Sequence, residues 1–245
     1  AVHATAAALL RRNRDFEGLT VAVSAGGTRE PIDPVRFLGN RSSGRQGVAL
    51  AVAAAERGAQ VLLAAANVAG DVLAAARIPG IEIVPAGSTA ELSAVMNDFA
   101  ARADIIIMAA AVADYGVADV AEGKITKESG EVPTIVLTEN EDIVAGLASR
   151  RRDGQTIVGF AAETVRGDEL LERGRRKRRR KNLDLLAVNE VGWTSGFGTP
   201  DNKLLILDAG DTVISEAEGS KRVVADALLD AILATRGQPP PAGSM

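Results

Sequence analysis

The stretch "SAGGTREPIDPVRFLGNRSSGRQG" (24–47) carries four arginines, Arg29, Arg36, Arg41 and Arg45, against only Glu30 and Asp33. Guanidiniums at that density on Gly-rich chain suit an anionic ligand, because each can grip two oxygens of a phosphate or carboxylate. Its last six residues, "SSGRQG", run straight into an Ala-rich helical stretch. Two hydroxyls, glycine backbone and a helix N-terminus together offer an anion hydrogen bonds and a favourable dipole. An ordinary capped helix reads the same way, since Ser and Gly are common N-cap residues. Further on, "AAAVADYGVADVAEGKITK" (109–127) sets Asp114 ahead of Lys124 and Lys127. A carboxylate beside a phosphate site can help hold Mg2+ or bind ligand hydroxyls. Equally, a loop Asp can simply close a turn. In "TENEDIV" (138–144), Asn140 or Glu141 either caps the next helix or leaves its N-terminus to a ligand.

Other chemistries are closed off. The chain has no Cys and a single His, His3. Thiol nucleophiles, disulfides and Cys-ligated metals are excluded, and a His-based triad lacks its base. A net charge of −4 gives no global pull toward nucleic acid or anionic lipid. Aromatics at 3% argue against single-strand nucleic-acid binding, which leans on stacking. Four of the six lysines, Lys124, Lys127, Lys177 and Lys181, fall in two short segments. One of these segments, "RGRRKRRRK" (173–181), places eight cations in nine positions. By default such a run is a solvated helix face, a nucleic-acid patch or a localisation signal. At helical spacing, however, Lys177 and Lys181 are i,i+4 and share one face.

The elements that must position these residues alternate. Apolar segments at 19–25, 59–67, 81–87, 104–112, 156–163 and 183–191 read as strands, with helices at 46–58, 89–103, 142–151 and 167–181 between them. Strand–helix alternation implies right-handed βαβ units and an α/β, Rossmann-like, doubly wound sheet that is mainly parallel. Two segments break the rhythm: 123–138 reads as a β-hairpin turning at Ser129–Gly130, and 203–216 as a second hairpin before a last helix, 220–235. Inserted hairpins are either flaps over a site or dimer surfaces. Ligands of open parallel sheets bind beyond the carboxyl ends of the strands. The arginine loop, "AVADY", "AAET", and "NEV" with "TSGFGTPDN" all fall at such ends. By the same rule the end of helix 167–181 lies away from the ligand edge, which counts against Lys177 and Lys181 unless a flap or partner bends round. Phe160, in a buried strand, reads as core by default.

One unit with insertions, 16–236, is the economical division. Residues 1–15 read as a helix or linker from a preceding domain, as in a fragment of a longer polypeptide, and 237–245 as a disordered tail. No apolar run approaches 18 residues and no signal peptide opens the chain, so the expectation is a cytoplasmic protein without membrane contact.

Taken in order over about 16–235, the arginine loop, "AAAVADY", "KITK", "NEDIVAGL", "VGFAAET" and "KRRRKNLDLLAVNEV" resemble phosphopantothenate–cysteine ligase. More narrowly, they resemble the synthetase half of bacterial bifunctional coenzyme A enzymes. The resemblance implies a two-step reaction. The carboxylate of 4′-phosphopantothenate attacks the α-phosphate of CTP, giving an acyl-cytidylate and pyrophosphate; the amine of L-cysteine then displaces CMP. It also implies Mg2+ or Mn2+, a homodimer with its sites at the interface, no nucleic-acid partner, and a covalently linked, FMN-dependent decarboxylase domain outside this chain. Asn40 and Arg36 match positions that handle the acyl-cytidylate, and Lys124 a catalytic and nucleotide-binding position. Nucleotide contacts are implied for Gly26, Ser42, Ser43, Gly44, Ala109, Ala110, Asp114, Glu141, Asp142, Ile143, Val144, Phe160, Lys177 and Lys181, and a metal contact for Asp114. Glu141 stands where bacterial relatives often have Pro, which points to the backbone there. Such a ligase needs no protein nucleophile, in keeping with the missing Cys and the lone His.

Two rivals fit the composition. A nicotinamide-dependent reductase would share the sheet, but the glycine fingerprint, an acidic ribose anchor and a Lys four residues after Tyr115 are missing. An RNA-binding module would use the basic run and show steep salt dependence.

Overall fold

The computed structural model describes residues 14–127, 132–191 and 201–237. From the N-terminal side, β1 (Thr20–Gly26) leads into a small antiparallel ribbon, β2 (Arg29–Pro31) with β3 (Phe37–Gly39), and then into α1 (Arg45–Glu56). Next come β4 (Gln60–Ala66), the short α2 (Gly70–Leu73), β5 (Ile81–Ala86), α3 (Thr89–Arg102) and β6 (Ile105–Met108). β7 (Tyr115–Val117) pairs antiparallel with β8 (Leu137–Glu139) as a second ribbon, followed by α4 (Ile143–Ser149). The chain closes with β9 (Thr156–Glu163), α5 (Gly167–Lys181), β10 (Leu185–Glu190), β11 (Asp201–Leu207), β12 (Val213–Ser220) and α6 (Lys221–Arg236).

Eight strands form one sheet in the order β12-β11-β10-β9-β6-β1-β4-β5. The six from β10 to β5 run parallel, and β11 and β12 add an antiparallel edge. Alternation along each strand serves two cores. Val21, Val23, Ile105 and Ile107 face the layer of α1 and α6, while Ala22, Ile106 and Met108 face that of α3, α4 and α5. The run Ile105–Ile107 is fully buried, as a strand covered on both faces should be. Each such isoleucine contributes about 1.5–3 kcal/mol by burial. That anchors β6, whose exit carries Asp114. No helix of the described residues is long and apolar enough to cross a membrane.

The doubly wound expectation holds, and the second inserted hairpin is β11–β12, which extends the central sheet rather than covering it. The first is different. Its apolar arm around Leu137 pairs with Tyr115–Val117, just after β6, and residues 123–127 form no strand. Their backbone is engaged elsewhere: Ile125 N–H donates to Asp33 Oδ2 (3.1 Å) and its carbonyl accepts from Arg36 Nη2 (2.7 Å). A residue so occupied cannot also join a ladder. The expected turn at Ser129–Gly130 lies outside the described residues.

Candidate active site

Parallel register brings the exits of β6, β9 and β10 level, and a cavity of about 450 Å3 opens above them. Its wall includes Asn40, Ser42, Ser43, Gly44, Ala109, Ala110, Asp114, Glu141, Asp142, Ile143, Val144, Phe160, Lys177 and Lys181. Gly26, Arg36 and Lys124 are not part of that wall. Gly26 is required where β1 passes β4: φ is +92°, and a Cβ would lie 1.9 Å from the Ala66 carbonyl oxygen, so no side chain fits.

The exits of β1 and β6 are stitched together. Gly27 bridges Ala111, Ala111 N–H donates to Gly26 O (2.8 Å), and Ser24 Oγ accepts from Ala110 N–H (3.1 Å). Asn40 then reaches across, its Nδ2 donating to Ala111 O at 3.2 Å. That bond uses one amide hydrogen and leaves the other for a ligand. α1 begins at Gly44, held at φ +78° and with no side-chain cap. The first-turn N–H groups at Arg45 and Gln46 therefore stand at the cavity wall without a capping side chain, the arrangement that favours a phosphate over a plain cap.

On the opposite side, Asp142 caps α4, accepting from Ala145 N–H (3.3 Å), so neither Asn140 nor Glu141 is the cap. Asn140 instead pins the β6 exit: its N–H donates to Asp114 O (2.9 Å) and its Nδ2 to Ala113 O (2.9 Å). Behind it, Thr89 donates to buried Glu30 through both N–H (2.9 Å) and Oγ1 (2.7 Å). Glu141 turns its carboxylate to the Ser93 hydroxyl (2.7 Å), leaving backbone at the cavity. Phe160 is half-buried, packing against the core while lining the cavity, so both readings of it apply.

Lys177 and Lys181 overturn the topological objection raised from sequence. α5 does end at the entry of β10, but the long lysine stems reach the cavity wall from within the same chain. Lys177 Nζ lies 2.6 Å from Glu163 at the end of β9, and Lys181 Nζ lies 3.0 Å from Asp142 at the start of α4. The rest of the basic run is largely committed. Arg173 pairs with Glu169, Arg175 with Glu172, and Arg178 and Arg179 both with Asp211. Among the described residues Arg176 and Arg180 are the members of the run without an ion pair.

Neither Arg36 nor Lys124 is in the cavity wall, and Arg36 bonds to the carbonyl of Ile125, the residue after Lys124. Asp33, 3% exposed, accepts from Val35 N–H (2.8 Å), Arg36 N–H (2.7 Å) and Arg36 Nε (3.0 Å), besides Ile125 N–H. The Arg36 guanidinium, ahead of the backbone donors, holds the Asp33 carboxyl well below the usual carboxylate range. A depressed folded-state pKa means stabilisation that is full above the unfolded value, about 3.9, and is lost only as pH falls through the folded one. The contact is therefore complete throughout the neutral range.

Sequence reasoning marked the clusters containing Gln46, Asn189 and Asn202 without giving these residues a role, and it missed Lys221. All four line the cavity. Asn202 Nδ2 donates to Gln46 Oε1 (3.2 Å) and Gln46 Nε2 to Lys221 O (3.3 Å), joining α1, β11 and α6 around one end. Only the position of Lys221 after the Ser220 cap could have signalled it.

A mainly parallel Rossmann-like sheet with a crevice at its carboxyl edge defines an α/β protein of the doubly wound class, whose ligands bind at that edge. A family model described as the DNA/pantothenate metabolism flavoprotein C-terminal domain matches residues 16–235, and the chain belongs to that family. It is 46% identical over 226 residues to the coenzyme A biosynthesis bifunctional protein CoaBC of Mycobacterium bovis, covering 89% of this chain and 53% of that protein. Against CoaBC of Escherichia coli K12 the identity is 40% over 223 residues, covering 89% and 52%. The chain thus spans about half the length of the curated relatives it matches. Among solved structures, the C-terminal domain of a CoaBC superposes with a TM-score of 0.70 at 28% identity, covering 89% of this chain and 95% of that one.

Proposed function

We propose that this chain is the ligase part of a coenzyme A biosynthesis protein, joining 4′-phosphopantothenate to L-cysteine at the expense of CTP. The observation that carries the reading is one cavity shared by Asn40, the uncapped start of α1, Asp114 and the start of α4, in a chain of this family.

In the first step a substrate carboxylate oxygen bonds to the α-phosphorus, and the bond to the bridging oxygen breaks to release pyrophosphate. The α1 N–H groups and Ser42 and Ser43 hold phosphate oxygens in line, while the α4 backbone, Phe160, Lys177 and Lys181 hold the nucleoside. In the second step the cysteine nitrogen bonds to the acyl carbon, the bond to CMP breaks, and the amine sheds a proton. Asn40 Nδ2 donates to the oxygen that gains charge in between. A Mg2+ or Mn2+ ion would take the Asp114 carboxylate, in the cavity wall, as its protein ligand, with substrate phosphates and water supplying the other oxygens. Such an ion would neutralise departing pyrophosphate.

The reading includes a homodimer. Neither Arg36, at the turn of the first ribbon, nor Lys124, on the strandless segment between β7 and β8, is in the wall of its own cavity, and on the ribbons Val35 is 60% exposed and Phe37 50%, with Leu38, Tyr115, Val120 and Val136 also exposed. Exposed apolar patches of this kind mark interaction surfaces. Pairing the ribbons with those of a second copy would bring Arg36 and Lys124 to the partner's cavity. A linked decarboxylase domain holding FMN and a cytoplasmic location belong to the same reading.

Calorimetry with Mg2+ tests it. CTP is expected to bind stoichiometrically and at least about tenfold tighter than ATP, a difference of about 1.4 kcal/mol. Asp114→Asn should weaken the Mg2+–CTP titration by a similar factor. Equal affinity for the two nucleotides, or an Asp114→Asn titration that matches wild type, would contradict it.

A further inference from the structure

Asp33 is the most enclosed carboxylate on the ribbon side of the molecule, and the ligase chemistry gives it no task. Its two oxygens are shared between separate segments. Oδ1 accepts the Val35 and Arg36 N–H groups, closing the 33–36 turn. Oδ2 accepts Arg36 Nε and the N–H of Ile125, 92 residues downstream. Arg36 completes the ring by donating Nη2 to the carbonyl of Ile125. A further bond, Ala121 N–H to Ile32 O at 3.0 Å, lies alongside. Lys124 is the immediate chain neighbour of the residue held on both its N–H and its C=O. Arg36, with its guanidinium engaged by Asp33 and Ile125, is fixed in the same unit.

We infer that Asp33 is a positioning residue: its carboxylate locks Arg36 and the Lys124 segment into one preset cationic unit, and its effect on pyrophosphate departure in the first half-reaction runs through Lys124. The inference rests on the ligase reading for its kinetic part alone. A lysine on a short polar segment carries large side-chain and backbone freedom and places its charge loosely. Fixing the backbone at Ile125, next to it, and at Ala121, three residues before, reduces the disorder that remains to be removed when a triphosphate arrives. A full ladder would do this too, but 123–127 has none. The carboxylate takes its place, and its bonds to charged and backbone donors are the stronger kind.

Two measurements on the whole chain test this. Hydrogen exchange reads the clasp without reference to activity. In Asp33→Asn the new amide nitrogen faces donors that need an acceptor, so amide exchange across 118–127 should quicken by tenfold or more, about the effect of losing one charged hydrogen bond. Arg36→Lys should do the same, because an ammonium cannot span Asp33 and the Ile125 carbonyl as a fork does. It serves in place of Asp33→Asn if that variant fails to fold. Single-turnover kinetics read the consequence. Asp33→Asn should slow acyl-nucleotide formation about tenfold, within the reach of a small misplacement, yet add nothing in a Lys124→Gln background. Unchanged exchange over 118–127 would overturn the clasp. Losses of Asp33→Asn and Lys124→Gln that multiply would overturn its action through Lys124. If the protein turns over no substrate at all, the ligase reading fails while the exchange result still decides the clasp.

Discussion

Asn40→Asp should leave a protein that makes acyl-cytidylate and then stalls. In the structure the Asn40 amide is oriented by its bond to Ala111 O, which fixes the nitrogen, not the oxygen, on that side. The remaining N–H is then a donor at the cavity wall, beside the α1 N-terminus. Mixed-anhydride formation develops charge on phosphate oxygens, which the α1 amides serve. Amide formation instead develops charge on the former carbonyl oxygen, and there a single neutral donor matters most. An aspartate removes that donor, sets an anion against the growing negative charge, and turns an acceptor toward Ala111 O. Loss of one such donor costs about 2.7–4 kcal/mol, a 10²–10³-fold drop in the second step. Rapid-quench analysis should show pyrophosphate release near the wild-type rate and the acyl-cytidylate accumulating. Equal loss of both steps would remove Asn40 from this role.

Lys124→Gln should fail earlier and in a different way. Glutamine keeps length and hydrogen-bonding capacity but loses the charge that the triphosphate needs, so pyrophosphate release should slow about 100-fold, as when one stabilising group is removed. Because Lys124 is not in the wall of its own cavity, the defect should be complemented from the other subunit. Mixing Asn40→Asp with Lys124→Gln protein gives half mixed dimers, each with one intact cavity, so activity should recover to about a quarter of wild type. Two inactive variants that stay inactive when mixed would place Lys124 in its own subunit's site. First-step kinetics left untouched by the substitution would deny Lys124 any role.

Much of this geometry was legible from the chain alone, where the signal was local. Ile105–Ile107 announces a strand covered on both faces, and strand–helix alternation fixes which loops share an edge. The convergence of the arginine loop, "AVADY" and the α4 start on one cavity follows from those two facts. What escaped was non-local. The sequence shows that residues 134–138 favour a strand but not that their partner is Tyr115–Val117, because Ile125 had been claimed by Asp33 from far upstream. Helix direction alone put Lys177 and Lys181 on the wrong side, since it ignores what a long stem does when Glu163 and Asp142 stand in reach. The α4 cap, expected at Asn140 or Glu141, falls to Asp142 for a similar reason. The carbonyl of Ala113 engages Asn140 and the Ser93 hydroxyl engages Glu141, which leaves Asp142 to accept from Ala145 N–H.

The route through an acyl-cytidylate can be read from one atom. With 4′-phosphopantothenate labelled with 18O in its carboxylate, incubated with CTP, Mg2+ and cysteine, attack on the α-phosphate must leave one labelled oxygen in CMP for every amide formed. Label recovered in inorganic phosphate alongside CDP, or CMP free of label, would mean that the carboxylate is activated elsewhere and that the cavity does not work as described.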